Sequence, residues 1–407
     1  VTSVDQQVAE TIRAEGARIL ATLVRIVGDL HIAEDAVQEA AMRALRQWPV
    51  TGIPDSPRAW LTVTARRAAI DVLRREGSRT TKERAAMDLR VDEDPPEPVV
   101  HDDLLRLIFT CAHPALSLDA QVTLALRVLC GLSTAQIASV LLSSEAAVAK
   151  RLTRTRAKIA RAGIPYQVPS AAELPQRLAA VCAVVYTLYT SAHTATSGPD
   201  LSDVDGCREA IRLARLVLDL MPDEGAPMSV LALLLLTEAR RGARTDPEGR
   251  PIVLAEQDRQ AWDRASIAEG CRLLDASLRR SDGIADPYQL QAAIAAEHAR
   301  AATYRDTDWA EIVRLYTLLV DVQPTSAGRL ARAVAVAEHA GPAAGLAALA
   351  ELEPDHRWHA VRAEILARDG RHREAIDAMT ASLAGPVSEA EAAHRRSLIA
   401  QWAQPAP

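Results

Sequence analysis

The chain has 407 residues, 49% hydrophobic and 25% charged, a balance that excludes a disordered polymer and suggests two or three domains. No apolar run reaches the roughly 18–20 residues of a membrane span, no basic-then-apolar leader opens the sequence, and the five scattered cysteines never form a C-x-x-C, so membrane, secreted and zinc-ribbon classes are disfavoured and reduced thiols are expected. The net charge of −6 hides an asymmetry: residues 1–164 carry 22 basic and 20 acidic side chains, the remainder 25 and 33.

Alanine and leucine dominate, aromatics are 3%, and period-two β-branched runs are scarce, so the expected fold class is all-α. Residues 6–48 read as helices broken near Gly28-Asp29, followed by a turn from Trp48-Pro49 to Pro57. One side of the second helix presents Asp35, Gln38, Glu39 and Met42, a polar-to-acidic face suited to a protein partner. Ser56-Pro57 starts a further helix running to about Arg75. Its stripe of Trp60, Thr64, Arg67, Asp71 and Arg74, bordered by Arg75 and accompanied by Arg58, combines phosphate-binding cations with a ring that can stack on a base. Trp60 as a core residue is the competing interpretation. Residues 77–100 lose periodicity around Asp92-Glu93-Asp94-Pro95-Pro96-Glu97-Pro98 and read as an acidic, proline-rich linker.

A second helical block covers 101–164 and contains the strongest local signal. Ser133 and Gln136 form an S-x-x-Q capping box at the start of a short helix with Ile137, Ala138 and Leu141 on its buried face. A three-residue turn follows, and Ser143 or Ser144 caps a second helix. On it, Val148, Leu152, Thr155 and Ile159 form one stripe, while Ala147, Lys150, Arg151, Arg154, Lys158 and Arg161 lie broadly opposite. Such a helix fits the major groove, with early residues such as Ser144 and Ala147 at base edges and later cations on phosphate.

The remaining block, 165–407, repeats Glu209-Ala210-Ile211 as Glu374-Ala375-Ile376 inside amphipathic helices, a faint sign of a tetratricopeptide-like array. Candidates for chemistry are sparse. His356 and His359, near Glu353 and Asp355, lack a third ligand in pattern, and His113, His193 and His298 stand apart. Cys111 and His113 read as packing residues. With no H-E-x-x-H, phosphate-binding glycine loop or G-x-S-x-G, the expectation is no catalytic residue, no metal and no cofactor.

These segments carry a family resemblance. Gly28-Asp29 through Ala33-Glu34-Asp35-Ala36-Val37-Gln38-Glu39-Ala40 resembles region 2.2 of extracytoplasmic-function sigma factors of the sigma-70 family. Ser56 to Leu61 and Ala69 to Arg75 resemble regions 2.3 and 2.4, and residues 101–161 resemble region 4. Asp102 to Leu116, Asp258 to Arg264, Pro287 to Ile294 and Asp306 to Ala310 resemble a group bearing a long C-terminal extension.

The resemblance implies a region 2 bundle (1–76), the linker (77–100), a region 4 helix-turn-helix domain (101–164) and a regulatory helical extension (165–407). It implies a bacterial protein acting with RNA polymerase in the cytoplasm and at the nucleoid. Asp35, Gln38, Glu39 and Met42 would dock on the β′ clamp coiled coil, and the β subunit is a further expected contact. Arg58, Trp60, Thr64, Arg67, Asp71, Arg74 and Arg75 would serve the −10 element. Ser144, Ala147, Lys150, Arg151, Arg154 and Lys158 would serve the −35 element. Fully extended, the linker reaches roughly 80 Å at about 3.3 Å per residue, enough for about two duplex turns. The chain departs from the family pattern at Arg67, Ala68, Ser143 and Ala147, and at Tyr189 to His193, where Asn-Glu-Gly is usual. The acidic extension would contact a regulatory protein or the chain's own basic helix. The rival is a helix-turn-helix regulator with a tetratricopeptide-like sensor, which needs no second basic helix in 29–75.

Overall fold

A computed structural model describes residues 4–75, 97–141, 143–193, 203–247, 250–281, 283 and 285–404. Among them the fold is all-α; the sole extended pairing there is an isolated bridge between Thr245 and Pro251. The chain forms two compact units, one up to Thr187 and one from Leu188 onward.

The first unit opens with helices α1 (Val4–Val27), α2 (Leu30–Thr51) and α3 (Pro57–Arg75), each packed on the other two. Gly28, at φ 75°, ends α1 in a conformation that a side chain would strain. Asp29 then caps α2, its Oδ1 accepting from the N–H groups of His31 at 2.7 Å and Ile32 at 3.0 Å. The α2 stripe Ala33, Ala36, Ala40, Ala44 and Trp48 is buried and lets the helices approach closely.

Two boundaries differ from expectation. The turn expected at Trp48-Pro49 is helical as far as Thr51, with Gly52 N–H closing on the Trp48 carbonyl at 3.0 Å. Proline in a last turn forfeits a single backbone bond, and the buried Trp48 anchors that turn in the core. The second block begins earlier than residue 101, with α4 (Glu97–Cys111); Pro98 is tolerated in a first turn because its missing N–H has no intrahelical partner there. The rest of the expected linker, 77–96, lies outside the described residues. Helices α5 (Leu118–Val128), α6 (Thr134–Val140) and α7 (Glu145–Ala162) follow, and α8 (Leu174–His193) contains the division between the units.

The second unit is a tetratricopeptide-like array in which successive helices pack as neighbours: α9 (Val204–Leu220), α10 (Gly225–Glu238), α11 (Arg264–Leu278), α12 (Pro287–Arg300), α13 (Trp309–Val322), α14 (Ser326–Ala340), α15 (Pro342–Leu349), α16 (His356–Arg368), α17 (His372–Ser382) and α18 (Glu389–Trp402). Next-but-one contacts join α10 to α12 and α14 to α16, so the core runs on from pair to pair. Helix α10 is buried continuously from Pro227 to Leu236, as befits an element packed against α9, α11 and α12. Close crossings use glycine: a Cβ on Gly345 would stand 2.4 Å from Ala337 Cβ, and one on Gly270 would stand 2.7 Å from Leu236 Cγ. The repeated Ala210 and Ala375 are both fully buried, whereas their preceding glutamates differ, Glu209 buried and Glu374 exposed.

The motifs of the extension that resemble the family hold this array together. Asp258 and Asp263 cap the helices they precede, and Asp286 with Gln289 forms a reciprocal capping box on α12. Arg259 is buried under Trp262, 4.8 Å from its ring, and donates to the carbonyls of His298 and Ala301 and to Thr307 Oγ1. One guanidinium thus satisfies carbonyls that the end of α12 leaves without intrahelical donors. Arg259→Met strands them, and the variant's second unit should lose about 2–4 kcal/mol in urea unfolding followed by circular dichroism. An unchanged midpoint would contradict this role.

Candidate nucleic-acid interface

The expected capping box is present: Gln136 N–H donates to Ser133 Oγ at 3.2 Å, and Ser133 N–H donates to Gln136 Oε1 at 2.9 Å. Ile137, Ala138 and Val140 of α6 are buried, with Leu141 half-buried. Ser143 N–H closes the turn onto the Ala138 carbonyl at 2.9 Å, and Ser144 Oγ caps α7 by accepting from Ala147 N–H at 3.2 Å. Helix α7 ends at Gly163, whose φ of 59° supplies a left-handed cap.

Helix α7 buries Val148, Leu152 and Thr155 and leaves Ser144, Ala147, Lys150, Arg154, Lys158 and Arg161 exposed. Arg151 behaves differently from its neighbours: half-buried, it donates Nη1 to Thr123 Oγ1 of α5 at 3.1 Å. The exposed face is therefore a row of cations beginning beyond a capped N-terminal turn that holds no cation and one acid, Glu145.

On α3, Arg67, Asp71 and Arg74 are exposed, and Arg74 lies 3.8 Å from Asp71. Arg58 and Thr64 are half-buried, with Arg58 3.8 Å from Glu15 of α1. Trp60 is half-buried and meets Trp48 edge-on, centroids 5.5 Å apart, so one edge belongs to the core while part of the ring stays accessible. The backbone of Arg75 closes α3; its side chain lies outside the described residues. On α2, Asp35, Gln38 and Met42 are exposed, Met42 to 49%, beside the likewise exposed Leu45. Glu39 is half-buried and accepts from Arg43 Nε at 2.8 Å.

The structure adds a contact that the sequence reading missed. Glu34, 5% exposed, receives Nε and Nη2 of Arg156 from α7, each at 2.9 Å, with Arg127 Nε of α5 at 3.4 Å. The two-pronged geometry is the strong form of an arginine–carboxylate pair. A second tie joins α1 to α4: Arg25 Nε donates to the fully buried Asp103 at 2.9 Å, and Arg106 lies 3.2 Å from its other oxygen. Burial raises the Asp103 pKa, and the two arginines oppose the rise. Tyr166 Oη sits 2.8 Å from the carbonyls of both Ala21 and Asp103. The available signal for Glu34 was its position beside the alanine stripe of α2, where a carboxylate needs a cation.

Among the chemistry candidates, Asp355 caps α16, and His359 meets Trp358 edge-on. His193 converges with Cys207 and Glu238, their ligating atoms all within 4.8 Å of one another. Arg244 Nη1, however, lies 3.2 Å and 2.9 Å from the two ring nitrogens of His193, and Tyr189 Oη bridges His193 Nδ1 and Glu238. A guanidinium in that place opposes a metal cation, so the cluster functions as a hydrogen-bond network. The five cysteines are free thiols, and no described helix is long and apolar enough to cross a membrane.

The family model for sigma-70 region 2 matches residues 11–79, and that for sigma-70 region 4 matches 106–159. A sigma-70 region 2 segment and a region 4 segment are thus present in order, and a plain helix-turn-helix regulator does not require the first. The chain belongs to the extracytoplasmic-function group of the sigma-70 family.

It is a sigma factor that directs transcription initiation and carries a C-terminal extension. Membership entails interaction with core RNA polymerase and promoter DNA, and the family is not an enzyme family. Residues 177–278 match a family of unknown function, DUF6596. The sigma factor is 41% identical to an uncharacterized protein of Rhizobium meliloti over 93% of this chain and 91% of that one. It is 34% identical to the "Probable ECF RNA polymerase sigma factor SigI" of Mycobacterium tuberculosis, over 39% of this chain and 56% of SigI, so that match spans about half of SigI. A solved tetratricopeptide repeat protein from Parabacteroides merdae aligns with a TM-score of 0.39 and 9% identity, over 90% of this chain and 99% of that one.

Replacing Glu34 by Gln removes the charge that Arg127 and Arg156 share. The first unit of Glu34→Gln should lose about 3–5 kcal/mol in chemical denaturation, the cost typical of leaving buried partners uncompensated. Unaltered stability would show the pair to be a bystander.

Proposed function

We propose that α2, through Asp35, Gln38, Glu39 and Met42, docks the sigma factor on the β′ clamp coiled coil, with the β subunit as a second contact. In this reading α3 captures the −10 element through Trp60, Thr64, Arg67, Asp71, Arg74 and Arg75, with Arg58 at its first turn. Helix α7 reads the −35 element, Ser144 and Ala147 at base edges and Lys150, Arg154 and Lys158 on phosphate. Arg151, bonded to Thr123, orients α7 and reaches DNA at its margin. The extension modulates the sigma core, and the chain works in the bacterial cytoplasm with polymerase at the nucleoid.

The observation that supports this reading most is the pattern of exposure. Asp35, Gln38 and Met42 of α2, Arg67 and Arg74 of α3, and Lys150, Arg154 and Lys158 of α7 are exposed, while Ala36, Ala40 and Ala44 of α2 and Val148 and Leu152 of α7 are buried. Exposed cations are what phosphate recognises, and an exposed carboxylate is what a basic protein partner recognises. A base drawn from the stack costs a few kcal/mol to unpair, and a half-buried Trp60 on the helix that carries the exposed Arg67 offers compensating stacking and charge.

The Glu34–Arg156 pair gives this function a conformational requirement. Two promoter elements about two duplex turns apart are separated by roughly 70 Å at about 34–36 Å per turn. Helix α3, packed on α2, and helix α7, tied to α2 by bonds of 2.9 Å, cannot serve both at once. The described arrangement is therefore a closed form, and promoter engagement breaks the pair.

Core polymerase pull-down tests the docking face. Asp35→Arg and Gln38→Ala should abolish or strongly weaken capture while leaving the circular dichroism spectrum unchanged; full capture by folded variants would overturn the assignment. For α7, each of Lys150→Ala, Arg154→Ala and Lys158→Ala should lower the slope of log K against log salt by about 0.9 on promoter duplex, one phosphate contact apiece. Slopes identical to the parent would remove these residues from the interface.

A further inference from the structure

The array encloses a cavity of about 630 Å³ that the sigma-factor role does not use. Four aromatic side chains from different elements line it: Tyr304 from the turn before α13, Trp309 and Tyr316 from α13, and Trp402 from α18. Tyr304 and His298 both meet Trp309 edge-on, at centroid distances of 5.4 and 5.3 Å, which fixes this wall. Such packing is rigid, and its volume suits a small molecule rather than a few waters.

The charges of the lining decide the ligand class. Arg368 is neutralised by an ion pair with Glu338. His298 is held neutral, its pKa lowered to about 4 by burial and by Arg240 and Arg259, and its Nδ1 is buried without a hydrogen-bond partner. Glu364 is exposed, and among the described residues its carboxylate has no hydrogen bond or ion pair. The cation nearby, Arg395, is committed to Glu391 at 3.0 Å and to the Ser382 carbonyl at 2.9 Å. Burial, with the neighbouring carboxylate of Glu391, raises the Glu364 pKa to about 7, and Arg395 opposes the rise.

One uncompensated carboxylate within an aromatic enclosure is complementary to an organic cation, which gains ion pairing at one end and attraction to ring faces around it. An anion would meet the negative charge of Glu364, which repels it. We propose that this cavity is a binding site for a small organic cation, an alkylammonium or guanidinium compound, with Glu364 as counter-ion and Tyr304, Trp309, Tyr316 and Trp402 as its walls. The site stands independently of promoter recognition, because none of its residues belongs to the sigma core.

The test uses the full chain and calorimetric titration with choline, with agmatine, and with 3,3-dimethylbutan-1-ol, the uncharged isostere of choline. At least one cation should bind, and at least tenfold more tightly than the alcohol. Glu364→Gln should weaken that binding at least tenfold, and Trp402→Leu, at a half-exposed position, should weaken it as well. Circular dichroism of each variant confirms that the array is folded. If neither cation outcompetes the alcohol, or if folded Glu364→Gln binds as tightly as the parent, the proposal is wrong.

Discussion

The buried carboxylate of Glu34 ties three helices of the first unit together. Glu34 sits beside the alanine stripe of α2, almost out of reach of solvent, and its charge is tolerable because Arg156 and Arg127 surround it. Desolvating a lone carboxylate would cost several kcal/mol, so the helices bearing those arginines are held where they are. Arg156 draws in α7, the helix that carries the exposed cations, and Arg127 draws in α5. The bonds between Arg25 and Asp103, and the position of Tyr166 between two carbonyls, fix the other side of the same assembly. A charge pair suits this purpose better than an apolar contact. Water and polymerase can take over its partners when the helices separate, whereas a greasy seam would leave exposed hydrophobic area on both sides.

The parts of this fold that were legible in the sequence are governed by local physics. The break at Gly28-Asp29, the Ser133–Gln136 box, the Ser144 cap and the sorting of α7 into two faces depend on residues within a few positions of one another. Helix ends governed by tertiary anchoring were less legible. The burial of Trp48 carries α2 past Pro49, a residue that local rules treat as a terminator. The long-range pairing of Glu34 with Arg156 leaves no pattern at helical spacing, since 122 positions separate the two. On α7, Arg151 and Arg154 look alike in sequence, yet Thr123 takes one of them and solvent the other.

The extension shows the converse. Its aspartates, prolines and buried arginine at 258–264 and 286–309 are recognisable as motifs, and their work is to cap helices and close the ends of others. Residue types that suggest chemistry, such as Asp263 and Asp286, are thereby absorbed into architecture. His193 with Cys207 and Glu238 has the composition of a ligand set, but the guanidinium of Arg244 makes it a buried polar network. In the cavity of the array, Glu364 stands without a hydrogen bond or ion pair among the described residues, beside aromatic side chains that also pack on the core. One chain thus carries a sigma core in its first unit and a ligand-sized cavity in its second.

The most direct test is the distance between α2 and α7, measured by pulsed electron resonance between spin labels at the exposed positions Arg46 and Arg161, in the free protein and bound to core polymerase on promoter DNA. A single short distance in the free protein that lengthens by tens of ångströms in the complex is the result expected of a closed sigma factor that opens on its promoter. An unchanged short distance in a complex that initiates transcription would contradict it.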